Sequence, residues 1–331
     1  MNIQTKTPGI QRALEKFEDP TWTAKGERRA AVRLSKLDTL WINTGTLCNL
    51  ACVNCYIESS PTNDALVYIT ADEAAAYYDE IETLGLDTRE IGFTGGEPFM
   101  NPHMLAMTRD ALTRGFEVLI LTNAMQPMMR PRVRDGLLAL QAEFPGKMTL
   151  RVSLDHHSQA LHETERGENT WDKALEGLDW LAEQGFSMAI AGRTCWGEDE
   201  ADAREGYAAL IRSRGWSIDP ADAGQLVLLP EMDEQAEVPE ITVACWGILG
   251  IKPSDMMCAT SRMVVKRKGA ATPVVLPCTL IPFDENFEMA PTLAEAGLAD
   301  GGMFANGAVK LCHIHCAKFC VLGGGSCSPD K

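Results

Sequence analysis

The sequence is poor in positive charge. Its 331 residues contain 30 lysines and arginines against 46 aspartates and glutamates, which gives a formal net charge of −16. The acidic residues are spread along the chain, so we interpret them as a solvated face. Such a surface repels phosphate backbones and anionic lipid. A nucleic-acid partner and a membrane surface are therefore not expected.

Long apolar runs are also missing. No run approaches the roughly 18 residues that a membrane span needs, and residues 1–20 lack the apolar core of a signal peptide. There is no internal repeat and no low-complexity segment. With 45% hydrophobic residues, the composition is that of an ordinary globular protein with a sizeable core. We therefore expect a cytoplasmic protein.

Cysteine, in contrast, is abundant. The chain has 11 cysteines, an odd number that argues against a closed set of disulfides. In a reducing compartment, clustered cysteines usually bind metal or carry redox chemistry. They fall into three groups: Cys48, Cys52 and Cys55 near the start; Cys195 and Cys245 in the middle; and Cys258, Cys278, Cys312, Cys316, Cys320 and Cys327 at the end.

Apolar strand-like runs alternate with amphipathic helical stretches from residue 39 to about residue 230. The predicted strands are Leu40–Asn43, Glu90–Thr94, Phe116–Thr122, Thr149–Ser153, Phe186–Ala191 and Gln225–Leu229. The predicted helices cover about 71–84, 101–114, 130–143, 170–184 and 199–214. This alternation predicts an α/β fold with a parallel sheet, and about six units favour a partial (β/α)6 barrel over a closed barrel of eight.

Local signals at the helix ends support these assignments. Thr70 and Glu73 have the spacing of a capping box. Asn101-Pro102 is expected to open the second helix, because proline is favoured at the first helical position. Gly115 and Gly185 stand where helices are expected to end in a left-handed residue.

The chain divides into four predicted segments. Residues 1–38 are charged and irregular and read as a leader before the barrel, which covers 39–230. Residues 231–250 begin with an acidic, proline-bounded stretch and are interpreted as a linker. Residues 251–331 are rich in cysteine, glycine and proline, which predicts a small domain held together by metal rather than by a large core.

The first cysteine group has the spacing C-x3-C-x2-C directly after the first predicted strand. So tight a loop can place three thiolates on three irons of a 4Fe–4S cluster and leave the fourth iron open for a chelating ligand. A structural zinc site is the alternative, although zinc prefers four ligands, usually as two C-x2-C pairs. The loop also lies at the carboxyl end of a barrel strand, where such folds place their chemistry.

This spacing resembles that of the radical S-adenosylmethionine (SAM) superfamily. A second motif fits independently, since Gly95-Gly96-Glu97-Pro98 follows the second predicted strand and resembles the family's GGE motif, which binds the SAM amino group. Glycine lets the backbone approach a ligand closely, and Glu97 offers a carboxylate to an ammonium group. Taken alone, this motif could be a simple turn.

The resemblance extends to weaker matches at later strand ends. Asn123 ends the third predicted strand, Ser153 ends the fourth and resembles a residue that helps hold SAM, and Arg166 resembles one that often meets the SAM carboxylate. Turn chemistry or surface ion pairs would explain them equally. One position departs from the pattern: Asn54 stands before the third cysteine, where relatives usually have an aromatic residue near the adenine.

The resemblance implies a definite reaction. One electron from the reduced cluster cleaves SAM to methionine and a 5′-deoxyadenosyl radical, which abstracts hydrogen from a substrate in the barrel. The family also implies a reductase partner such as flavodoxin or ferredoxin. The cofactor carries out the radical chemistry, and the protein orients the reactants and excludes water from the site.

The C-terminal cysteines resemble the auxiliary-cluster domains called SPASM and twitch. Cys258 and Cys278 bracket a predicted hairpin that turns at Lys268-Gly269, and Cys312, Cys316, Cys320 and Cys327 follow. The resemblance implies at least one auxiliary 4Fe–4S cluster. A second, incompletely ligated cluster helped by His313 or His315 is an alternative, and zinc is another, since the spacings depart from the full SPASM pattern.

The two middle cysteines have no clear motif. Buried structural cysteines are the ordinary interpretation. Cys195, close to the end of the fifth predicted strand, is also a candidate for a catalytic, hydrogen-donating thiol.

Three functions are therefore open. The first is a radical enzyme that oxidises or rearranges a small-molecule or peptide substrate. Residues 1–38 are too short for the winged-helix module that often recognises leader peptides, which favours a small molecule, or a peptide recognised without that module. A peptide maturase of the kind that acts on ribosomal peptides or sulfatases is the second. A non-catalytic iron–sulfur carrier or scaffold is the alternative from another class. The substrate itself cannot be identified from these residues.

Overall fold

A computed structural model describes residues 15–230 and 237–323 of the chain. Its strands are β1 (Ala31–Val32), β2 (Thr39–Asn43), β3 (Glu90–Thr94), β4 (Glu117–Thr122), β5 (Met148–Ser153), β6 (Ser187–Arg193), β7 (Leu226–Leu229), β8 (Ser261–Val265), β9 (Val274–Leu276), β10 (Phe304–Ala305) and β11 (Ala308–Lys310). Its α-helices are α1 (Ala71–Leu84), α2 (Met104–Thr113), α3 (Gln126–Met129), α4 (Pro131–Glu143), α5 (Gln159–Arg166), α6 (Trp171–Glu183), α7 (Glu200–Arg214), α8 (Cys245–Leu249) and α9 (Leu293–Ala296). A π-helix covers Cys316–Leu322.

The main sheet has the strand order β7-β6-β5-β4-β3-β2-β8-β9. All neighbours from β7 to β8 are parallel, and β9 pairs antiparallel with β8. Helices connect the consecutive strands from β3 to β7, as a parallel sheet requires. The predicted α/β partial barrel is confirmed, and so is the predicted hairpin, whose arms pair Met263 with Leu276 and Val265 with Val274.

Both faces of the sheet are buried. In β2, Leu40 and Ile42 join the large core formed with the helices, whereas Trp41 joins a smaller cluster with Met263 and Leu276 on the other face. Successive strand residues point to opposite faces. The Trp41 ring needs a glycine on the neighbouring strand, because a Cβ on Gly92 would lie 2.5 Å from the ring.

The helix ends follow the local signals with one exception. Thr70 and Glu73 form the capping box at α1, and Gly115 and Gly185 have left-handed φ angles of 94° and 72°. Helix α2 begins at Met104, so the prediction that Asn101-Pro102 opens it was wrong. The reason is that residues Pro98–Met100 form a short 3-10 helix first, which ends at Asn101.

The segment before the barrel packs against the C-terminal region. β1 pairs with β11 in a second sheet, of order β1-β11-β10. The Arg29 side chain, with 0% exposure, pairs with Glu240 at 2.6 Å and donates to the Leu311 carbonyl oxygen at 3.2 Å. The predicted boundaries at 38, 230 and 250 stay predictions. β8 nevertheless shows that the chain returns to the barrel sheet after residue 250.

None of the helices in the two described ranges has the length and apolar character to cross a lipid bilayer.

The buried ion pair of Arg29 generates a test of how the N-terminal segment is held. Arg29→Met removes the cation that pairs with the buried Glu240 carboxylate and leaves that carboxylate only its backbone donors, the Phe17 and Ala24 N–H groups. We therefore expect the free energy of unfolding to fall by about 3 kcal/mol. Thermal unfolding and limited proteolysis of residues 15–32 measure the effect. Arg33→Met is the matched control, since Arg33 is exposed and, within the described part of the chain, donates to the Asn306 carbonyl oxygen and to no carboxylate. Equal stability of both variants would contradict the account.

Candidate active site

The cysteine loop after β2 is held against the turn after β3 by backbone contacts. The Gly96 N–H donates to the Gly45 carbonyl oxygen at 2.8 Å, and the Glu97 N–H donates to the Leu47 carbonyl oxygen at 3.1 Å. A Cβ on Gly96 would lie 2.2 Å from the Leu47 carbonyl oxygen, and Gly95 has a φ of +132°. Because β2 and β3 are parallel neighbours, their carboxyl ends bring the two motifs together.

The three thiols of this loop face one another across a partly desolvated space. Backbone N–H groups already point at two of them, from Leu50 to the Cys48 sulfur at 3.4 Å and from Ser59 to the Cys55 sulfur at 3.3 Å. Burial raises the pKa of Cys48 to about 12 and also raises the pKa of Cys52. The Cys48 and Cys52 thiols are therefore protonated at neutral pH when free, and metal binding must displace those protons.

The donors of the loop fit an iron–sulfur cluster. Cys48, Cys52 and Cys55 line one cavity, and Cys52 and Cys55 both act electrostatically on Cys48, so the three sulfurs lie near one another. Cysteine thiolates are the ligands of such clusters, and three of them leave one iron of a cube of four open.

Glu165, at the end of α5, holds the middle of the cysteine loop. Its carboxylate accepts from the Asn54 backbone N–H and from the Asn54 side-chain amide, both at 2.8 Å, and its carbonyl oxygen accepts from the Val53 N–H at 2.9 Å. The Glu165 side chain is only 2% exposed. The residue that departs from the family pattern, Asn54, therefore fixes the loop by hydrogen bonds in place of an aromatic contact.

A charged network lies beside this contact. Asp155, after β5, pairs with Arg166 and with Arg193, the latter at 3.2 Å. The Arg193 guanidinium also donates to the Asn54 carbonyl oxygen at 2.8 Å. These two cations hold the pKa of Asp155 below its usual value although its side chain is buried. The carboxylate and guanidinium groups thus fix one another's positions beside the cysteine loop.

Glu97 and Asn123 join the ends of β3 and β4. The Glu97 carboxylate accepts from the Thr122 hydroxyl at 2.9 Å and from the Asn123 N–H at 2.8 Å. Burial raises its pKa to about 7. The Asn123 amide donates to the Asn49 side-chain oxygen at 2.9 Å, next to Cys48. Both residues therefore support the cysteine loop.

A cavity inside the barrel connects these residues. We call it the central cavity; it is lined by Cys48, Cys52, Cys55, Tyr56, Ile57, Ser59, Thr94, Gly95, Gly96, Leu121, Thr122, Asn123, Arg151, Ser153, Asp155, Arg166, Ala191, Gly192, Arg193, Val227, Leu229, Pro230, Leu280 and Phe319. Its lining combines the three thiols and several polar side chains with apolar residues, among them Leu280 and Phe319 from the cysteine-rich C-terminal region.

The C-terminal thiols pack in one buried cluster with Leu280 and Phe319. The thiols that act electrostatically on Cys316 belong to Cys278, Cys320, Cys258 and, last, Cys312. Cys312 is set apart, since its thiol donates to the Phe17 and Asp19 carbonyl oxygens at 3.2 and 3.4 Å. Four buried thiols therefore suit one fully ligated cluster. Cys327 lies outside the described residues.

The comparisons with known proteins agree with this geometry. The sequence profile of the Radical SAM superfamily matches residues 42–200. The chain contains a radical SAM domain. It is 26% identical over 194 residues to the antilisterial bacteriocin subtilosin biosynthesis protein AlbA of Bacillus subtilis, covering 57% of this chain and 41% of AlbA. It is 28% identical over 144 residues to the AdoMet-dependent heme synthase of Methanosarcina barkeri, covering 43% and 38%.

A solved structure shows the same fold. The crystal structure of Streptococcus suis SuiB bound to S-adenosylmethionine superposes with a TM-score of 0.57 at 11% identity, covering 80% of this chain and 66% of SuiB. The chain spans about two fifths of the length of the two curated relatives. The family predicted from the sequence is confirmed. Radical SAM domains use a 4Fe–4S cluster and SAM, so the cofactor prediction is confirmed as well.

Other predicted site residues lie at or near the radical SAM site. Ser153 lines the central cavity, and Arg166 lines it while paired with Asp155. Pro98 is buried at the start of the short 3-10 helix, behind the Gly95–Gly96 turn. Cys195 is half-buried, and the described lining of the cavity does not include it. The individual roles of all these residues, and of Gly95, Gly96, Glu97 and Asn123, stay predictions.

Sequence reasoning missed Glu165 and the apolar residues Leu280 and Phe319. Glu165 could have been suspected, since it precedes Arg166 in the Arg-Gly pair already singled out. Leu280 and Phe319 carry no motif, and only their proximity to Cys278 and Cys320 hinted at the site.

A separate set of ligand-type residues, His156, His157 and Glu198, has its ligand atoms within 4.8 Å of one another. The Ser158 backbone N–H donates to His156 Nδ1 at 2.9 Å, so neutral His156 carries its proton on Nε2. That Nε2 donates to the Glu198 carboxylate at 2.9 Å and is not available to a metal. We therefore interpret this set as a hydrogen-bonded link between the loops after β5 and β6.

The approach of Gly96 to the cysteine loop gives a first test of the site. Gly96→Ala places a methyl group 2.2 Å from the Leu47 carbonyl oxygen, so the loop must move. We expect the variant to lose most of the iron at Cys48, Cys52 and Cys55 after anaerobic reconstitution. Gly247→Ala is the control, because nothing lies within 4 Å of its Cβ position. Full iron loading of Gly96→Ala would show that the contact does not position the cysteines.

His162, on α5 one turn before Glu165 and Arg166, gives a second test. Its side chain is buried, neither ring nitrogen has a hydrogen-bond partner in the described residues, and burial lowers its pKa from 6.5 to about 4. Between these values the unfolded chain binds more protons than the folded chain. Stability is therefore lost as the pH falls from about 6.5 to about 4, by up to about 3 kcal/mol.

His162→Leu removes this dependence. We expect the variant to become more stable relative to the unchanged protein as the pH falls through that interval. Denaturant titration of the metal-free chain measures this difference in the free energy of unfolding. A difference that does not vary with pH would contradict the assignment of a neutral, buried imidazole.

Proposed function

We propose that this chain is a radical SAM enzyme that removes a hydrogen atom from an apolar part of an organic substrate, as one step of a net oxidation. The observation that carries the proposal is the central cavity, whose lining includes Cys48, Cys52 and Cys55 together with Leu280 and Phe319. Leu280 and Phe319 also pack in one buried cluster with the C-terminal thiols. A substrate in this cavity would therefore touch the first group of thiols and residues that pack against the second.

Cys48, Cys52 and Cys55 would hold a 4Fe–4S cluster with one open iron, and Cys258, Cys278, Cys316 and Cys320 would hold an auxiliary cluster. When bound, the first cluster and SAM supply the radical that abstracts hydrogen, and an electron from a reductase such as flavodoxin or ferredoxin starts the reaction.

The residues of the chain position the cysteine loop and SAM, and they exclude water from the cavity. Glu165 and Arg193 fix the cysteine loop through Asn54. The backbone of Gly95 and Gly96 lines the cavity next to the thiols, where it can approach the amino acid part of SAM. Leu121, Val227, Leu229, Leu280 and Phe319 surround the rest of the cavity with apolar groups, which keeps water away from a reactive intermediate.

We propose a peptide as the substrate. The apolar residues of the lining, such as Leu121, Leu280 and Phe319, would accept an aliphatic or aromatic side chain. AlbA, one of the curated relatives, is a bacteriocin biosynthesis protein. A small molecule is the second candidate, supported by the AdoMet-dependent heme synthase at similar identity.

The reaction is tested by anaerobic reconstitution with iron and sulfide, followed by dithionite and SAM. We expect 5′-deoxyadenosine to form and about eight irons to bind per chain, four for each cluster. Changing Cys48, Cys52 and Cys55 to Ala should abolish 5′-deoxyadenosine and leave about four irons. Cys245→Ala is the control, because Cys245 belongs to neither group of thiols. A fully loaded protein that binds no SAM would instead support an electron carrier or scaffold.

The substrate class is tested with extracts from deuterated cells. A substrate transfers deuterium to 5′-deoxyadenosine, and mass spectrometry detects that transfer. We expect the active fraction to lose its effect after protease treatment. Activity that survives protease would identify a small molecule instead.

A further inference from the structure

Arg262, on β8, is a buried cation with an unused donor. Its residue is 2% exposed. One terminal nitrogen, Nη1, donates to the carbonyl oxygens of Cys258 and Ser261, both at 2.7 Å. The other, Nη2, is buried and has no hydrogen-bond partner among the described residues. A buried charged donor without a partner is costly, so its presence points to a missing acceptor.

The surroundings of Arg262 identify the kind of acceptor. The groups that act on its charge in the described part of the chain are the thiols of Cys258 and Cys278, and no carboxylate does so. Cys258 precedes β8 and Cys278 follows β9, and these strands are paired, so both thiols lie at the same end of the hairpin as Arg262. An arginine placed among thiols and no acids has a cluster sulfur as its natural anionic partner.

We propose that Arg262 donates a hydrogen bond from Nη2 to a sulfur of the auxiliary cluster and thereby raises that cluster's reduction potential. This inference rests on the proposed function, in which Cys258 and Cys278 hold such a cluster. Reduction adds one electron, and with it one negative charge, to the cluster. A cation in a desolvated site stabilises the reduced form more than the oxidised form, and hydrogen bonds to cluster sulfurs are a known means of tuning the potential.

A higher potential would favour electron transfer from the substrate to the auxiliary cluster over the reverse transfer. An auxiliary cluster of higher potential accepts an electron from the substrate more readily after hydrogen abstraction. Arg262 is thus a positioning and tuning residue, distinct from the cysteine ligands. A merely structural Arg262 would tie the Cys258 carbonyl oxygen to β8 and leave the potential unchanged.

The test uses the full chain with Cys48, Cys52 and Cys55 changed to Ala, so that the auxiliary cluster gives the only cluster signal. In a redox titration followed by electron paramagnetic resonance, Arg262→Met should shift the midpoint potential to a more negative value. Arg262→Lys, which keeps the charge, should recover part of the shift. Arg267→Met is the matched control: it removes the same charge shortly after β8, where Arg267 pairs with Glu288. An unchanged potential in Arg262→Met at full iron content overturns the proposal.

A second measurement covers the case in which Arg262→Met loses its iron. In the chain that keeps Arg262, labelled with 15N in the arginine guanidinium groups, electron–nuclear double resonance on the reduced auxiliary cluster should detect a nitrogen coupling. That coupling should disappear in Arg262→Lys. A reduced cluster without the coupling refutes the role of Arg262 alone, whereas a chain that binds no auxiliary cluster at all refutes the proposed function.

Discussion

The contact between the Gly95–Gly96 turn and the loop before Cys48 is the constraint on which the rest of the site depends. Two backbone hydrogen bonds, Gly96 to Gly45 and Glu97 to Leu47, join the ends of β2 and β3 where a side chain would not fit. Glu97 then reaches across to the end of β4. The ends of three parallel strands therefore hold the cysteine loop in position.

A second set of contacts approaches the same loop from the other side. Glu165 accepts three hydrogen bonds, two from Asn54 to its carboxylate and one from the Val53 N–H to its carbonyl oxygen. The Arg193 guanidinium donates to the Asn54 carbonyl oxygen. Asp155 connects Arg193 to Arg166, so that opposite charges neutralise one another inside a desolvated cavity. Buried ion pairs of this kind are rarely selected for stability alone, because desolvation offsets much of the attraction. Their value here is that they fix the geometry of the loop.

Much of this arrangement could be predicted from the sequence because its signals are local. A few adjacent residues suffice to identify each of these features: strands such as Glu90–Thr94, the capping box of Thr70 and Glu73, and the two motifs at consecutive strand ends. The remainder depends on contacts between distant residues. Glu165 and Asn54 are 111 positions apart, Arg29 and Glu240 are 211 apart, and no local pattern pairs them. The helix start at Met104 was missed because the Glu97 side chain caps a preceding turn.

The central claim is that the chain binds two iron–sulfur clusters, one at the three thiols that line the central cavity and one at the buried thiols that pack with Leu280 and Phe319 of its lining. Crystals of the anaerobically reconstituted protein, measured at the iron absorption edge, test it most directly. The account predicts two compact peaks of anomalous density, one bounded by Cys48, Cys52 and Cys55 and the other by Cys258, Cys278, Cys316 and Cys320. A single iron cluster, or iron bound at Cys312 instead of Cys278, would contradict it.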